Sequence, residues 1–324
     1  MKCTSKSVIS LFLILILCLS FSGCAKESFS MPFARNLSST SYTMINTAEV
    51  SATLPGYSEN ICVDFDDYTL GDAFIEAEAG GVFDLTDKKV LYGKNLFTSM
   101  NPASTTKIMT ALVALKYGNL SDRVLVTENA MVLERDAQTA GLRVGDTMTL
   151  EQALNIMIVC SANDAALAVA EHVGGSVQGF VDLMNAEALR IGATNTHFTN
   201  PHGLTDELHK TTPYDLYLIF NEALKYDEFR TIISQVAYTT SINDANGNVK
   251  DISVESTNLF FKGAFEVPGT LNIIGGKTGT TAAAGSCLVM YAKDSSTNKE
   301  YITVVLKAPD RDTSYQDTLL MLTL

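Results

Sequence analysis

The chain has 324 residues, 46% of them apolar, enough to build a core for one large domain or two ordinary ones. Its 23 Lys and Arg stand against 36 Asp and Glu, a net charge of −13. That balance excludes the phosphate-neutralising surface of a nucleic-acid-binding protein and suits an acidic protein of the cell envelope or the secreted fraction.

The chain opens with Lys2 and Lys6, an uncharged apolar run over 8–21, and the small residues Ser22-Gly23-Cys24. This is the order of an export leader, and the run is short for a membrane-spanning helix. Gly23-Cys24 resembles a lipoprotein cleavage site with Cys24 as the lipidated residue, although Phe21 stands where an aliphatic residue is usual. Plain secretion and an uncleaved anchor are the alternatives. The region 25–66 is rich in Ser, Thr and Asn near its start and has no helical or strand period, so it reads as a flexible tether. The folded domain is expected over 67–324.

Three of the six cysteines, Cys3, Cys18 and Cys24, fall in the leader, which leaves Cys62, Cys160 and Cys287. Three cannot all pair. Apolar neighbours make Cys160 and Cys287 buried small hydrophobes, and nothing near either would lower a thiol pKa as a nucleophile requires.

Within the domain, segments 81–85 and 89–92 flank Thr86-Asp87-Lys88 as a hairpin, and a helix follows over 103–117, ended by Gly118. Thr149-Leu150-Glu151-Gln152 forms a capping box for a helix over 150–159. Further helices are expected over 164–173, 178–191 and 213–224, the last started by Thr212-Pro213. Strands return at 236–242 and 249–254 around the turn Asn246-Gly247, then at 285–293 and 301–307, with a short helix from Thr313. Strands at both ends with helices between imply an α/β (α+β) domain: one antiparallel sheet built from the N- and C-terminal strands, flanked by helices, plus a mainly helical subdomain. A cleft between the two is the expected site.

Three short motifs occur in order: Ser104-Thr105-Thr106-Lys107, Ser161-Ala162-Asn163 and Lys277-Thr278-Gly279, followed by Thr280. Each alone is weak. Ser296 and Lys299 repeat the first spacing, and Ser58, Ser241 and Ser256 begin copies of the second, all explained as turn or strand residues. Context favours the first set. Ser104 follows Pro102 at a helix start, where its backbone N–H has no intrahelical partner and can face an oxyanion. Lys107, three residues on, lies on the same helix face, the placement a serine without a histidine needs. A capping Ser and a solvent-facing Lys are the ordinary reading of that pair. Ser161 and Asn163 sit between two helices in an apolar stretch and need hydrogen-bonding partners. Lys277-Thr278-Gly279 lies among glycines and threonines that let a ligand approach a strand edge.

Together the motifs match the Ser-x-x-Lys, Ser-x-Asn and Lys-Thr-Gly set of penicillin-binding proteins and serine β-lactamases. Over about 81–309 the chain resembles the low-molecular-mass D-Ala-D-Ala carboxypeptidases, with a β-lactamase-like fold. The resemblance is carried by Asn101-Pro102-Ala103-Ser104-Thr105-Thr106-Lys107, Ser161-Ala162-Asn163-Asp164, Pro201-His202-Gly203-Leu204, Thr257-Asn258 and Gly276-Lys277-Thr278-Gly279. It implies that Ser104 attacks the carbonyl of the penultimate D-alanine of peptidoglycan stem peptides ending in D-Ala-D-Ala and holds the peptide as an acyl-enzyme. Lys107 would take the serine proton, its pKa lowered by burial and by Lys277. Ser161 would relay the proton to the leaving D-alanine, and Asn163 would orient Lys107 and the substrate amide. The N–H groups of Ser104 and Thr280 would form the oxyanion hole, with Lys277 and Thr278 on the substrate carboxylate. β-Lactams would be covalent inhibitors, and no cofactor or metal is implied.

Two departures accompany the resemblance. The family often adds an all-β domain and a C-terminal membrane helix, whereas this sequence stops soon after its last strand, so no C-terminal all-β domain is expected, and attachment to the membrane is expected to be N-terminal or absent. Thr257 stands where some members have Arg, leaving open which charge beyond Lys277 faces the carboxylate.

Other readings compete. A common β-lactamase type carries Glu-x-x-Leu-Asn after the second motif; Glu151-Gln152-Ala153-Leu154-Asn155 matches but lies before Ser161, as a helix face. His197, His202 and His209 could suggest a zinc peptidase, but they lack the helical i, i+4 pair. An endopeptidase or a non-catalytic β-lactam sensor would share the motifs.

Overall fold

Strands from the two ends of the domain meet in one sheet, as the order of elements implies. The computed structural model describes residues 61–63, 75–134 and 137–324. The leader, with Cys24, and most of the expected tether lie outside the described residues. Strands β1 (Ala79–Asp84) and β2 (Lys89–Lys94) form the expected hairpin. Two short strands, β3 (Arg123–Leu125) and β4 (Thr147–Thr149), follow, then β5 (Ala237–Asn243) and β6 (Val249–Glu255). The chain ends with β7 (Leu271–Thr281), β8 (Gly285–Asp294) and β9 (Glu300–Ala308).

The larger sheet runs β2-β1-β9-β8-β7, antiparallel throughout, with β7 at its free edge. Side chains alternate across β8, as the two-residue period of a strand requires. Leu288, Met290 and Ala292 enter one apolar cluster with Tyr315 and Met321. Val289 and Tyr291 enter the main core on the other face.

One expectation is corrected. The hairpin at 236–254 does not extend the terminal sheet; it pairs with β4 in a separate sheet of order β3-β4-β5-β6. Only Ile242 and Ile252 of β5 and β6 are buried, so this hairpin lacks the two apolar faces that a central strand needs.

Seven α-helices are found among the described residues: α1 (Lys107–Tyr117), α2 (Leu150–Val159), α3 (Asn163–Gly174), α4 (Val177–Ile191), α5 (Pro213–Ala223), α6 (Asp227–Ile233) and α7 (Arg311–Leu322). Their limits follow local chemistry. Thr149 and Gln152 make the capping box of α2, and Thr212 caps α5 ahead of Pro213. Gly192, at φ +88°, ends α4 in the left-handed region that suits glycine. Helix α1 is buried from Lys107 to Ala114, which makes it the central helix and places the first motif beneath the cleft. None of these helices is long and apolar enough to cross a membrane.

The segment 61–63 is held by the body of the domain. The Cys62 N–H donates to the Tyr217 hydroxyl at 2.6 Å, and the Tyr214 hydroxyl donates to the Cys62 carbonyl at 2.7 Å. Cys62, Cys160 and Cys287 are free and buried, the role of small hydrophobes expected of them. Burial pushes the thiols of Cys160 and Cys287 up to about 11 and about 12, the opposite of what a thiolate nucleophile needs.

Candidate active site

The expected helix over 103–117 begins as a separate 3₁₀ turn, Ala103–Thr106, before α1 takes over at Lys107. At three residues per turn, positions i and i+3 eclipse. Ser104 and Lys107 are thereby stacked, with Lys107 Nζ 3.0 Å from Ser104 Oγ. Several side chains fix the turn. Thr105 Oγ1 donates to the Pro102 carbonyl at 2.7 Å and Thr106 Oγ1 to the Ala103 carbonyl at 2.8 Å. His209 Nδ1 accepts the Thr199 N–H, so its proton sits on Nε2, which donates to Thr106 Oγ1 at 2.7 Å.

Two glycines press on this turn. A Cβ on Gly203, which has φ +89°, would stand 1.8 Å from the Ala103 carbonyl oxygen, and one on Gly279 would stand 2.8 Å from the Ser104 nitrogen. Only glycine allows both approaches. Ala103 itself has φ +49° and Ser161 φ +63°, left-handed values that a non-glycine residue holds at a cost of about 1–3 kcal/mol each. The strain sits at the two bends that carry the first and second motifs.

Lys107 is 0% exposed. Besides Ser104 it reaches Asn163 Oδ1 at 2.6 Å and the His202 carbonyl at 2.7 Å. Burial, and then the charge of Lys277, hold its amine well below the usual lysine range. A neutral amine has two N–H bonds and one lone pair. The two fixed acceptors take the N–H bonds, which leaves the lone pair facing the Ser104 hydroxyl.

Ser161 lies between α2 and α3, and its Oγ accepts from Lys277 Nζ at 3.0 Å. Lys277 also donates to the Thr278 carbonyl at 2.8 Å. Burial lowers its pKa to about 7. Asn163 starts α3, and its N–H donates to the Gln138 carbonyl at 2.8 Å. Buried Asp164 accepts the N–H groups of Ala140 and Leu142, pinning the loop that carries Gln138.

On β7 the Thr278 and Thr257 hydroxyls are 2.6 Å apart, and the Arg311 guanidinium donates to the Thr257 carbonyl. A cavity of about 220 Å³ is lined by Ser104, Ser161, Thr278, Thr280, Gln138 and Arg311, among others. Ser104, Lys107, Ser161, Asn163, Lys277, Thr278, Gly279 and Thr280, scattered over 177 positions from 104 to 280, thus meet at one cleft. Arg311 and Gln138 are among the lining residues that carried no signal in the sequence. Arg311 follows Lys277 by 34 positions in no motif and is brought to the cleft as the first residue of α7. It supplies a cation next to Thr257, the position where the expected Arg is missing. Gln138 lies in a loop without periodicity.

The rival residues have structural partners. Ser296 is a turn residue bonded to Asp294, and Lys299 pairs with Asp84 and Asp87. His202 Nδ1 accepts the Leu204 N–H, and burial lowers His202 to about 3 and His209 to about 4, so both rings are neutral spacers. Glu151 and Asn155 line a different hollow, beside Gln235 and Tyr238.

The fold is that of the penicillin-binding proteins. The crystal structure of the Streptomyces K15 DD-transpeptidase superposes with a TM-score of 0.71 at 30% identity, covering 77% of this chain and 96% of that one. The chain belongs to the Peptidase S11 family of D-alanyl-D-alanine carboxypeptidases, whose model matches residues 68–310. It is 35% identical over 240 residues to D-alanyl-D-alanine carboxypeptidase DacF of Bacillus subtilis, and 34% identical over 217 residues to the D-alanyl-D-alanine carboxypeptidase of Streptomyces strain K15. The matched regions span 58% and 71% of those relatives.

Proposed function

We propose that this protein is a serine D-Ala-D-Ala carboxypeptidase that removes the terminal D-alanine from peptidoglycan stem peptides. The observation that carries the reading is the buried Lys107 amine, which stands 3.0 Å from Ser104 Oγ and whose burial lowers its pKa well below the usual lysine range. Ser104 Oγ bonds to the carbonyl carbon of the penultimate D-alanine while its proton passes to Lys107 Nζ. The negative charge that develops on the carbonyl oxygen is received by the N–H groups of Ser104 and Thr280. Collapse breaks the peptide bond, and the proton that Lys107 took from Ser104 passes by way of the Ser161 hydroxyl to the leaving amine, which returns Lys107 to its neutral form while Lys277 donates to Ser161 Oγ. Water, deprotonated by Lys107, then releases the shortened peptide.

Thr278, Lys277 and Arg311 suit the terminal carboxylate, since hydroxyl and cationic donors gather at that end of the cleft. Asn163 holds Lys107, and by the resemblance it would also orient the substrate amide. Gly279 lets β7 approach the serine, as its close contact with the Ser104 nitrogen requires. A β-lactam presents the same electrophile and carboxylate, which makes it a covalent inhibitor. The chain acts in the envelope, with residues 67–324, joined by the docked segment 61–63, as its catalytic domain and the N-terminal leader, through Cys24, as its attachment to the membrane.

The test is release of D-alanine from diacetyl-L-Lys-D-Ala-D-Ala and from the same peptide amidated at its C-terminus. Sites that hydrogen-bond a substrate group reject analogues lacking it by up to about 10⁴. The amide is expected to lose at least about a hundredfold in kcat/KM, the cleft being partly open to solvent. Equal rates would replace the carboxypeptidase reading by an endopeptidase or esterase.

A further inference from the structure

The cleft has two walls. One is the free edge of β7 with Thr278 and Thr280; the other is the loop at 137–142. That second wall is rigidly mounted: the Gln138 carbonyl accepts the Asn163 N–H, and Asp164 holds Ala140 and Leu142. The Gln138 side chain, by contrast, is exposed and lines the cavity, and no hydrogen bond or ion pair engages it among the described residues. A primary amide offers two donors and an acceptor, a match for the N–H and C=O of a peptide unit.

The two ends of the cleft differ in chemistry. Thr278, Thr257 and Arg311 hold the end suited to a carboxylate, and Gln138 is attached through its own backbone to Asn163, which holds Lys107, with no bond to that cluster. A neutral, unpartnered amide matches the peptide units of the acyl half of a substrate better than it matches a carboxylate. An extended chain advances about 3.4 Å per residue, so the peptide unit of the residue before the two alanines lies roughly 7 Å from the scissile carbonyl.

Resting on the carboxypeptidase reading, we propose that Gln138 is a specificity-determining residue, which hydrogen-bonds the backbone of the stem-peptide residue preceding D-Ala-D-Ala. The enzyme thereby favours a peptide over a bare acyl-dipeptide. The contact adds to binding of the acyl half and leaves the bond-making groups untouched.

The experiment compares kcat/KM for D-alanine release from diacetyl-L-Lys-D-Ala-D-Ala and from acetyl-D-Ala-D-Ala, in the wild type, Gln138→Ala and Gln138→Met. Both variants keep the backbone carbonyl that Asn163 needs, and Met keeps the length of the side chain without its hydrogen bonds. The ratio of long to short substrate is expected to fall about tenfold in both variants, the scale of one net hydrogen bond. An unchanged ratio overturns the proposal. An equal loss on the two substrates also overturns it, since Gln138 would then act through Asn163. If the wild type releases no D-alanine from either peptide, the underlying catalytic reading fails, an outcome distinct from failure of the Gln138 contact alone.

Discussion

Gly279→Ala tests whether the third motif needs its glycine for the reason the packing gives. The added methyl would stand 2.8 Å from the Ser104 nitrogen, 3.0 Å from the Thr105 nitrogen and 3.1 Å from Ala103 Cβ. Ordinary contact needs about 3.5 Å, so β7 and the nucleophile turn must part by about 0.7 Å. Neither wall yields easily. Gly279 is paired with Cys287 in the buried strand β8, and the turn is backed by Gly203 against the Ala103 carbonyl. Overpacking of this kind costs about 1–3 kcal/mol of stability. A misplacement approaching 1 Å at reacting groups costs about a hundredfold in rate. We therefore expect acylation by a fluorescent penicillin, followed by stopped flow, to slow about a hundredfold, with a melting temperature lowered by roughly 3–10 °C. Wild-type acylation in a protein of unchanged melting temperature would refute the packing argument.

Two further outcomes follow from the same structure. The dependence of kcat/KM on pH is expected to be bell-shaped: activity rises as Lys107 loses its proton, at a pKa well below the usual lysine range, and falls as Lys277, near 7 in the free protein, loses its charge. Lys277→Arg keeps that charge and removes the descending limb; a limb that stays in place would assign it elsewhere. A chain starting at Asn60 is expected to keep full D-alanine release, whereas one starting at Asp64 loses the bonds from Cys62 to Tyr214 and Tyr217 and about 1–3 kcal/mol in urea unfolding. Equal unfolding curves would show that the segment 61–63 adds nothing.

The chemistry of the site was legible because its signals are short-range. A serine and lysine three apart, a Ser-x-Asn bend between helices and a Lys-Thr-Gly stretch each declare themselves within a few residues, and so do the capping box at Thr149 and the hairpins. What escaped is what only tertiary packing brings together. Arg311 and Gln138 reach the cleft from segments without a motif. Ala103 gives no local hint that it holds φ +49°, since alanine favours the right-handed helix, and hence none that the serine turn is 3₁₀ and separate from α1. The second sheet was hidden because β3 and β4 have three residues each, too few to show a period, so β5 and β6 looked free to join the terminal sheet. The spacing of the histidines already argues against a metal, and both ring nitrogens of His209 and Nδ1 of His202 are engaged by Thr106, Thr199 and Leu204.

The central claim is that Ser104 is the nucleophile and Lys107 its base. The direct measurement is intact-mass analysis and peptide mapping after incubation with a labelled penicillin, for the wild type, Ser104→Ala and Lys107→Arg. The account predicts one adduct per chain, on the peptide that bears Ser104. It predicts no adduct in Ser104→Ala, and acylation slowed by at least about a hundredfold in Lys107→Arg, where the cation cannot accept a proton. Label that persists on Ser104→Ala, or that maps to Ser296, would contradict it.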